Sequence, residues 1–170
     1  MAASRTDADT VVSHKTALRV RWGEVDPAGI VYYPRFFAWF DEASDELFRA
    51  LGLPWERFFP EQGITGLPIV EVHCRFTAPL RYGDHLTIIS TVAEVRDKTL
   101  RIEHVVKHGE TTCAVGYEVR AWAAPAEDGA LRARSIPEAV AARLRGDVDP
   151  SAEKTPPPSP LPGAERGYSP

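Results

Sequence analysis

The run Trp22-Gly23-Glu24-Val25-Asp26-Pro27-Ala28-Gly29-Ile30-Val31-Tyr32-Tyr33-Pro34 leads straight into Arg35-Phe36-Phe37-Ala38-Trp39-Phe40-Asp41-Glu42-Ala43-Ser44-Asp45-Glu46-Leu47-Phe48-Arg49-Ala50-Leu51, and together they decide the fold. The first half is turn chemistry: Asp26 bonds nearby backbone amides, Pro27 fixes φ and Gly29 permits φ > 0. The second half is helical. Phe36, Phe40, Ala43, Leu47 and Leu51 recur at spacings of four and three, with Phe37, Ser44 and Phe48 beside them. Asp41, Asp45, Glu46 and Arg49 break up the other side. Pro34 suits the first helical turn, where its missing N–H costs nothing, and Gly52 suits a C′ stop. A carboxylate thus precedes a helix start, whose free amides and partial positive charge favour anions. That pairing suits acyl chemistry.

Outward from this run the pattern becomes strand-like. Thr16 to Trp22 alternates, with Leu18, Val20 and Trp22 on one side and Arg19 and Arg21 on the other. Beyond the helix, a short second helix is predicted over Pro54 to Phe59, then a loop marked by Gly63, Gly66 and Pro68. Four strands follow: Ile69 to Phe76, Asp84 to Val95, Thr99 to Lys107 and Glu110 to Ala123. Arg96-Asp97-Lys98 and His108-Gly109 supply hairpin turns. After a turn at Glu127-Asp128-Gly129, Ser135-Ile136-Pro137-Glu138 reads as a capping box opening a helix to about Arg145. One long helix beside antiparallel strands is an α+β architecture. Residues 1–14 read as a flexible segment, 15–146 as the domain, and 147–170, rich in Pro, Ser and Gly, as a disordered tail.

The chain of 170 residues fits one domain, and its net charge of −4 gives no global basic footprint for nucleic acid. Cys74 and Cys113 lie far apart in apolar strand patterns, which predicts buried free thiols. His14, His73, His85, His104 and His108 show no ligand spacing, so no metal is expected. Ser44 lacks a nucleophile elbow, and no phosphate-binding glycine loop is present. No secretory signal or membrane-length apolar run is read, which makes the cytoplasm the expected compartment and a membrane partner unexpected.

The Asp26 run resembles the signature of the 4-hydroxybenzoyl-CoA thioesterase family of hotdog-fold proteins. The resemblance continues through Trp39-Phe40-Asp41, Gly52-Leu53-Pro54, Gly66-Leu67-Pro68-Ile69-Val70 and Tyr82-Gly83-Asp84-His85-Leu86-Thr87-Ile88, covering about Leu18 to Pro137. It implies a hotdog fold, a curved antiparallel sheet wrapped around one long central helix. It also implies an acyl-CoA thioesterase for an aromatic, 4-hydroxybenzoyl-like acyl group, with Asp26 as the catalytic carboxylate. Attack on the carbonyl and activation of water both remain open for Asp26. By the same resemblance the backbone N–H of Tyr33 holds the oxyanion and Asp41 lies near the distal end of the acyl pocket. Trp39 and Trp55 are candidates to line an aromatic acyl pocket, with core packing the commoner role for such aromatics, and Trp55 adjoins a one-residue gap in the resemblance.

Lys98 and Arg132 match positions that meet the nucleotide part of coenzyme A. Asp97 stands where the family is basic, which shifts the grip to Arg96, with Arg134 a further candidate cation. Coenzyme A belongs to the substrate, so no separate cofactor is expected. The family assembles its sites between subunits, which implies a homodimer or homotetramer. Glu42 is a rival carboxylate, since a second hotdog lineage uses a helix-borne Glu. Two other functions remain: a thioesterase for aliphatic or dihydroxynaphthoyl acyl groups, and a non-catalytic acyl-CoA-binding protein, against which Asp26 argues.

Overall fold

The structure is a computed structural model that describes residues 12–147. The segments 1–11 and 148–170, expected to be flexible and disordered, lie outside the described residues. Five strands form one antiparallel sheet: β1 (Ser13–Arg19), β2 (Ile69–Phe76), β3 (His85–Val95), β4 (Thr99–His108) and β5 (Thr111–Ala121), in the order β1-β3-β4-β5-β2. Helix α1 (Pro34–Ala50) covers one face, with Phe36, Trp39, Phe40, Ala43, Ser44, Leu47 and Phe48 buried. This is the α+β arrangement of one long helix on an antiparallel sheet. α2 (Trp55–Glu61), a two-stranded ribbon of β6 (Ala123–Pro125) and β7 (Leu131–Ala133), and α3 (Glu138–Arg145) complete it.

The register sets which residues share the inner face. Ser90 on β3, His104 on β4, Gly116 on β5 and Cys74 on β2 are cross-strand partners in one row. Phe40 lies over that row, stacked on His104 with ring centroids 4.4 Å apart. A Cβ on Gly116 would come within 2.6 Å of the Phe40 ring, so glycine is what lets α1 sit this close to the sheet. Val20, Phe36, Leu80, Ile88 and Val106 fill the core at one end of the helix, and Phe48, Phe58, Leu100, Trp122 and Leu144 fill it at the other.

The structure departs from the sequence reading at several places. β1 begins at Ser13, so Ser13 and His14 of the segment expected to be flexible are strand, and it ends at Arg19 rather than Trp22. Trp22–Glu24 is instead a 3₁₀ turn, closed by the Arg21 N–H on Glu24 Oε2 at 2.6 Å and Glu24 N–H on the Arg21 carbonyl at 3.1 Å. That local bonding turns Trp22 outward, 75% exposed, against Tyr82. The last long strand breaks at Trp122, whose N–H bonds the Lys98 carbonyl. The capping box does not form. Pro137 is the N-cap of α3 with no side-chain cap, and Glu138 is the first helical residue, too early to reach back to Ser135. Gly52 and Gly146, with φ of 73° and 81°, close α1 and α3 as their positions suggest.

Candidate active site

Asp26 sits in the turn that connects the 3₁₀ turn to α1. The Ala28 N–H donates to Asp26 Oδ1 at 2.8 Å, the Gly29 N–H donates to the Asp26 carbonyl at 2.9 Å, and Gly29 takes φ of 75°. The turn is tied down on both flanks: Val25 and Val31 bridge each other, and the Val31 N–H donates to the Leu80 carbonyl at 2.8 Å. Glu24 adds a brace, accepting from Trp39 Nε1 at 3.0 Å.

The helix start supplies the second group. Tyr33 is the N-cap of α1, and Pro34, at the first helical position, has no N–H. The Arg35 N–H is spent on the Tyr32 carbonyl and the Phe36 N–H on the Tyr33 carbonyl. The Tyr33 N–H has no acceptor among the described residues. It is therefore the donor left open at the positive end of the helix. Asp26 and Tyr33 line one cavity of about 420 Å³ with Ile30, Val31, Phe36, Phe76, Thr77, Ala78, Pro79 and Leu80. Its walls are largely apolar, and Phe36 and Phe76 meet edge to face at 4.9 Å. A carboxylate residue and a residue with an open amide on one aromatic-walled cavity are the groups that attack on a carbonyl, or its hydration, requires: a nucleophile or base, and a donor for the oxygen.

The other candidates group differently. Asp41 and Trp55 do not line this cavity; Arg120 joins them instead, with Nη2 2.6 Å from Asp41 Oδ1 and the guanidinium 5.1 Å from the Trp55 ring centre. Trp39 is core. Glu42 lines a separate hollow with Arg19, Arg21, Glu24 and Trp39, on the β1 side of α1. Arg96 pairs with Glu94 at 2.8 Å, Arg132 pairs with Asp128 at 2.6 Å, and Lys98 is exposed at the β3–β4 turn. Backbone bonds from Trp122 N–H to the Lys98 carbonyl and from Arg134 N–H to the Trp122 carbonyl bring these cations to one end of the sheet. That end is about 33 Å along β3 from His85, which pairs with Arg19 at the end of β1 that leads into the Asp26 turn.

The sequence reading missed a buried polar chain. Glu118 and Arg120 lie on the inner face of β5, and Arg120 Nε is 2.6 Å from Glu118 Oε1. Ser44 donates to the same oxygen, and His104 Nε2 stands 3.7 Å from it. Burial pushes the Glu118 carboxyl up, but His104 together with donation from Arg120 and Ser44 more than offsets this and holds it below its ordinary value. Strand alternation carried the signal, since Glu118 and Arg120 share the phase of Ala114 and Gly116. Both cysteines are free. Cys113 is buried, while Cys74 is half-buried, and burial pushes its thiol up to about 11. Among the described residues no cluster of His, Cys, Asp or Glu could hold a metal, and no helix is long and apolar enough to cross a membrane.

The sheet over one long central helix is the hotdog fold. The chain belongs to the thioesterase-like superfamily, whose profile matches residues 20–144. It is 40% identical over 89 residues to the 4-hydroxybenzoyl-CoA thioesterase of Pseudomonas sp. (strain CBS-3), covering 52% of this chain and 63% of that enzyme. The structure of that thioesterase superimposes with a TM-score of 0.71 and 34% identity, covering 77% of this chain and 98% of the other. A gentisyl-coenzyme A thioesterase gives a TM-score of 0.68 and 36% identity over 75% of this chain and 99% of its own. The 1,4-dihydroxy-2-naphthoyl-CoA hydrolase of Synechococcus elongatus is 30% identical over 101 residues, 59% of this chain and 74% of that one.

Proposed function

We propose that this protein hydrolyses an aromatic, 4-hydroxybenzoyl-like acyl-CoA to the free acid and coenzyme A. The observation that carries this reading is the shared cavity of Asp26 and the open Tyr33 N–H, walled by Phe36 and Phe76. In one route an Asp26 oxygen attacks the thioester carbon, the C–S bond breaks to release the CoA thiolate, and water hydrolyses the mixed anhydride. In the other, Asp26 takes a proton from water as the water attacks. Either way the carbonyl oxygen gains charge against the Tyr33 N–H. The reaction needs no cofactor beyond the substrate's own coenzyme A, and the proposed compartment is the cytoplasm. In a thiol-release assay with 4-hydroxybenzoyl-CoA, Asp26→Asn is expected to lower kcat about 10²–10⁴-fold. Full activity in that variant would remove Asp26 from the reaction.

The functional unit in this proposal is at least a homodimer. β2 is an edge strand that leaves Ile69, Val70, Val72 and Phe76 exposed, an unpaired and apolar edge of the kind that proteins cover. Antiparallel pairing of two β2 edges brings the Ile69 end of one chain to the Phe76 end of its mate. Asp41 and Arg120 adjoin the Ile69 end, and the Asp26 cavity adjoins the Phe76 end. The cations Arg96, Lys98 and Arg132 share the far end of the sheet, so pairing also shortens their path to a mate's cavity, where they hold the nucleotide part of coenzyme A. A second reading keeps the chemistry and takes a larger dihydroxynaphthoyl group, which the Synechococcus elongatus relative's name favours. Ranking acyl-CoAs by kcat/KM separates the two. Tight binding with no thiol release would instead mark a non-catalytic protein.

A further inference from the structure

Glu24 is tied to both halves of the site by different atoms. Its carbonyl accepts the Tyr32 N–H at 2.9 Å, and the next amide along the chain is that of Tyr33. On the other side, the Asp26 N–H donates to the Ile30 carbonyl at 2.9 Å. With the Val25–Val31 bridge these bonds form a short ladder that closes the loop carrying Asp26. The Glu24 carboxylate works at longer range. Oε2 accepts the Arg21 N–H at 2.6 Å, which closes the 3₁₀ turn, and Oε1 accepts Trp39 Nε1–H at 3.0 Å, 15 residues further on. Trp39 is buried in the second turn of α1, its ring 5.1 Å from that of Phe36, which lines the Asp26 cavity. A buried indole N–H needs an acceptor, and Glu24 supplies it from outside the helix. The remaining anchors of the loop lie elsewhere: the Val31 N–H holds it to the Leu80 carbonyl at 2.8 Å, on the opposite wall of the cavity from α1's own residues.

We propose that Glu24 is a positioning residue for thioester hydrolysis: its carboxylate, bonded to Trp39, fixes the Asp26 loop against the first turns of α1 and so sets Asp26 and the Tyr33 amide at their working separation. This rests on the function proposed above. Without the tie, the loop stays closed by its own backbone bonds and follows the Leu80 segment, while α1 follows the sheet. The two reacting groups then shift relative to each other at the Tyr33–Pro34 junction without unfolding either element. Both partners of the Glu24 side chain are N–H donors, so an acceptor is required at each oxygen. Glutamine presents an NH₂ group to one of them and breaks the arrangement at nearly constant size.

The test measures kcat and KM for 4-hydroxybenzoyl-CoA in the wild-type protein, Glu24→Gln, Trp39→Phe and the double variant. Trp39→Phe keeps an aromatic ring in the core and deletes the N–H. Amide hydrogen exchange, read by mass spectrometry over residues 24–33 and over β3 to β5, provides a readout free of turnover. In each single variant kcat is expected to fall about 10–10²-fold with KM within about twofold, the signature of lost alignment of reacting groups. The double variant is expected to fall no further than the lower single, because both substitutions break one contact. Exchange is expected to quicken over residues 24–33 and to stay slow in β3 to β5. Unchanged kcat in folded Glu24→Gln, a loss carried by KM alone, or losses that multiply in the double variant overturn the proposal. Should Glu24→Gln fail to fold, Trp39→Phe decides by the same kcat, KM and exchange readouts. Wild-type protein that releases no thiol sinks the proposed function instead. The exchange rates then decide the tie: unaltered exchange over residues 24–33 in both variants overturns it.

Discussion

Gly116→Ala tests how α1 is seated on the sheet, and its size can be worked from distances. The new Cβ would run into the His73 carbonyl oxygen and lie 2.6 and 2.9 Å from two carbons of the Phe40 ring. Ordinary carbon contacts begin near 3.5 Å, so about 1 Å of relief is needed. Neither neighbour yields cheaply. The carbonyl belongs to β2, paired along β5, and the ring is stacked flat on His104, the cross-strand partner of Gly116. Overpacking against rigid neighbours costs about 3 kcal/mol, at the upper end of its usual range. For a domain of this size that lowers Tm by roughly 10 °C. If α1 lifts instead of unfolding, Phe36 and the Tyr33 N–H, one or two turns before Phe40, move with it. A displacement of about 1 Å at a reacting geometry can cost on the order of 10²-fold in kcat. The assay is a thermal melt by circular dichroism alongside thiol release from 4-hydroxybenzoyl-CoA. An unchanged Tm with full activity would show that β5 does not carry the helix at this point.

Other outcomes follow from single features of the structure. Glu118 is held below its ordinary value of 4.5 in the fold, so its contribution is present above that value and drains away as pH falls through the lower folded one. The Tm gap between wild type and Glu118→Gln should therefore be widest near neutrality and close in acid; a gap that does not vary with pH refutes this. Tyr33→Phe should leave kcat nearly unchanged, because the proposed donor is the backbone amide. A loss approaching the ~10²–10³-fold typical of a removed oxyanion donor would assign the phenol instead. Val72→Lys on the exposed β2 edge should shift light scattering towards the single-chain mass and abolish activity together. A fully active monomer would refute the paired edge.

Much of this architecture is legible in the sequence, for physical reasons. The apolar stripe of α1 is long and regular, and Pro34 and Gly52 punctuate it where helix chemistry demands. Asp26 is legible because Asp-Pro-Ala-Gly is unambiguous turn chemistry before that stripe. Trp22 is not, because alternation cannot see the Arg21–Glu24 bonds that turn the chain away. The Thr77-Ala78-Pro79-Leu80 wall of the cavity has no period and is placed by Thr77 and Ala78 N–H bonds to the Cys113 carbonyl. Nor does linear spacing show that Lys98 and Arg132 sit a sheet's length from Asp26, since that follows from strand direction alone.

At the helix start one amide, and not several, is left without an acceptor among the described residues. An α-helix normally opens with four unpaired N–H groups, a broad positive end that suits a bound phosphate better than a single carbonyl oxygen. Here Pro34 removes one, and the Tyr32 and Tyr33 carbonyls occupy those of Arg35 and Phe36. What remains of the four is the Tyr33 N–H, and Tyr33 lines the same cavity as Asp26. A lone donor next to a carboxylate is poorly matched to a resting anion. It is better matched to an oxygen that becomes anionic only when the carbonyl is attacked, which is the differential binding that catalysis requires.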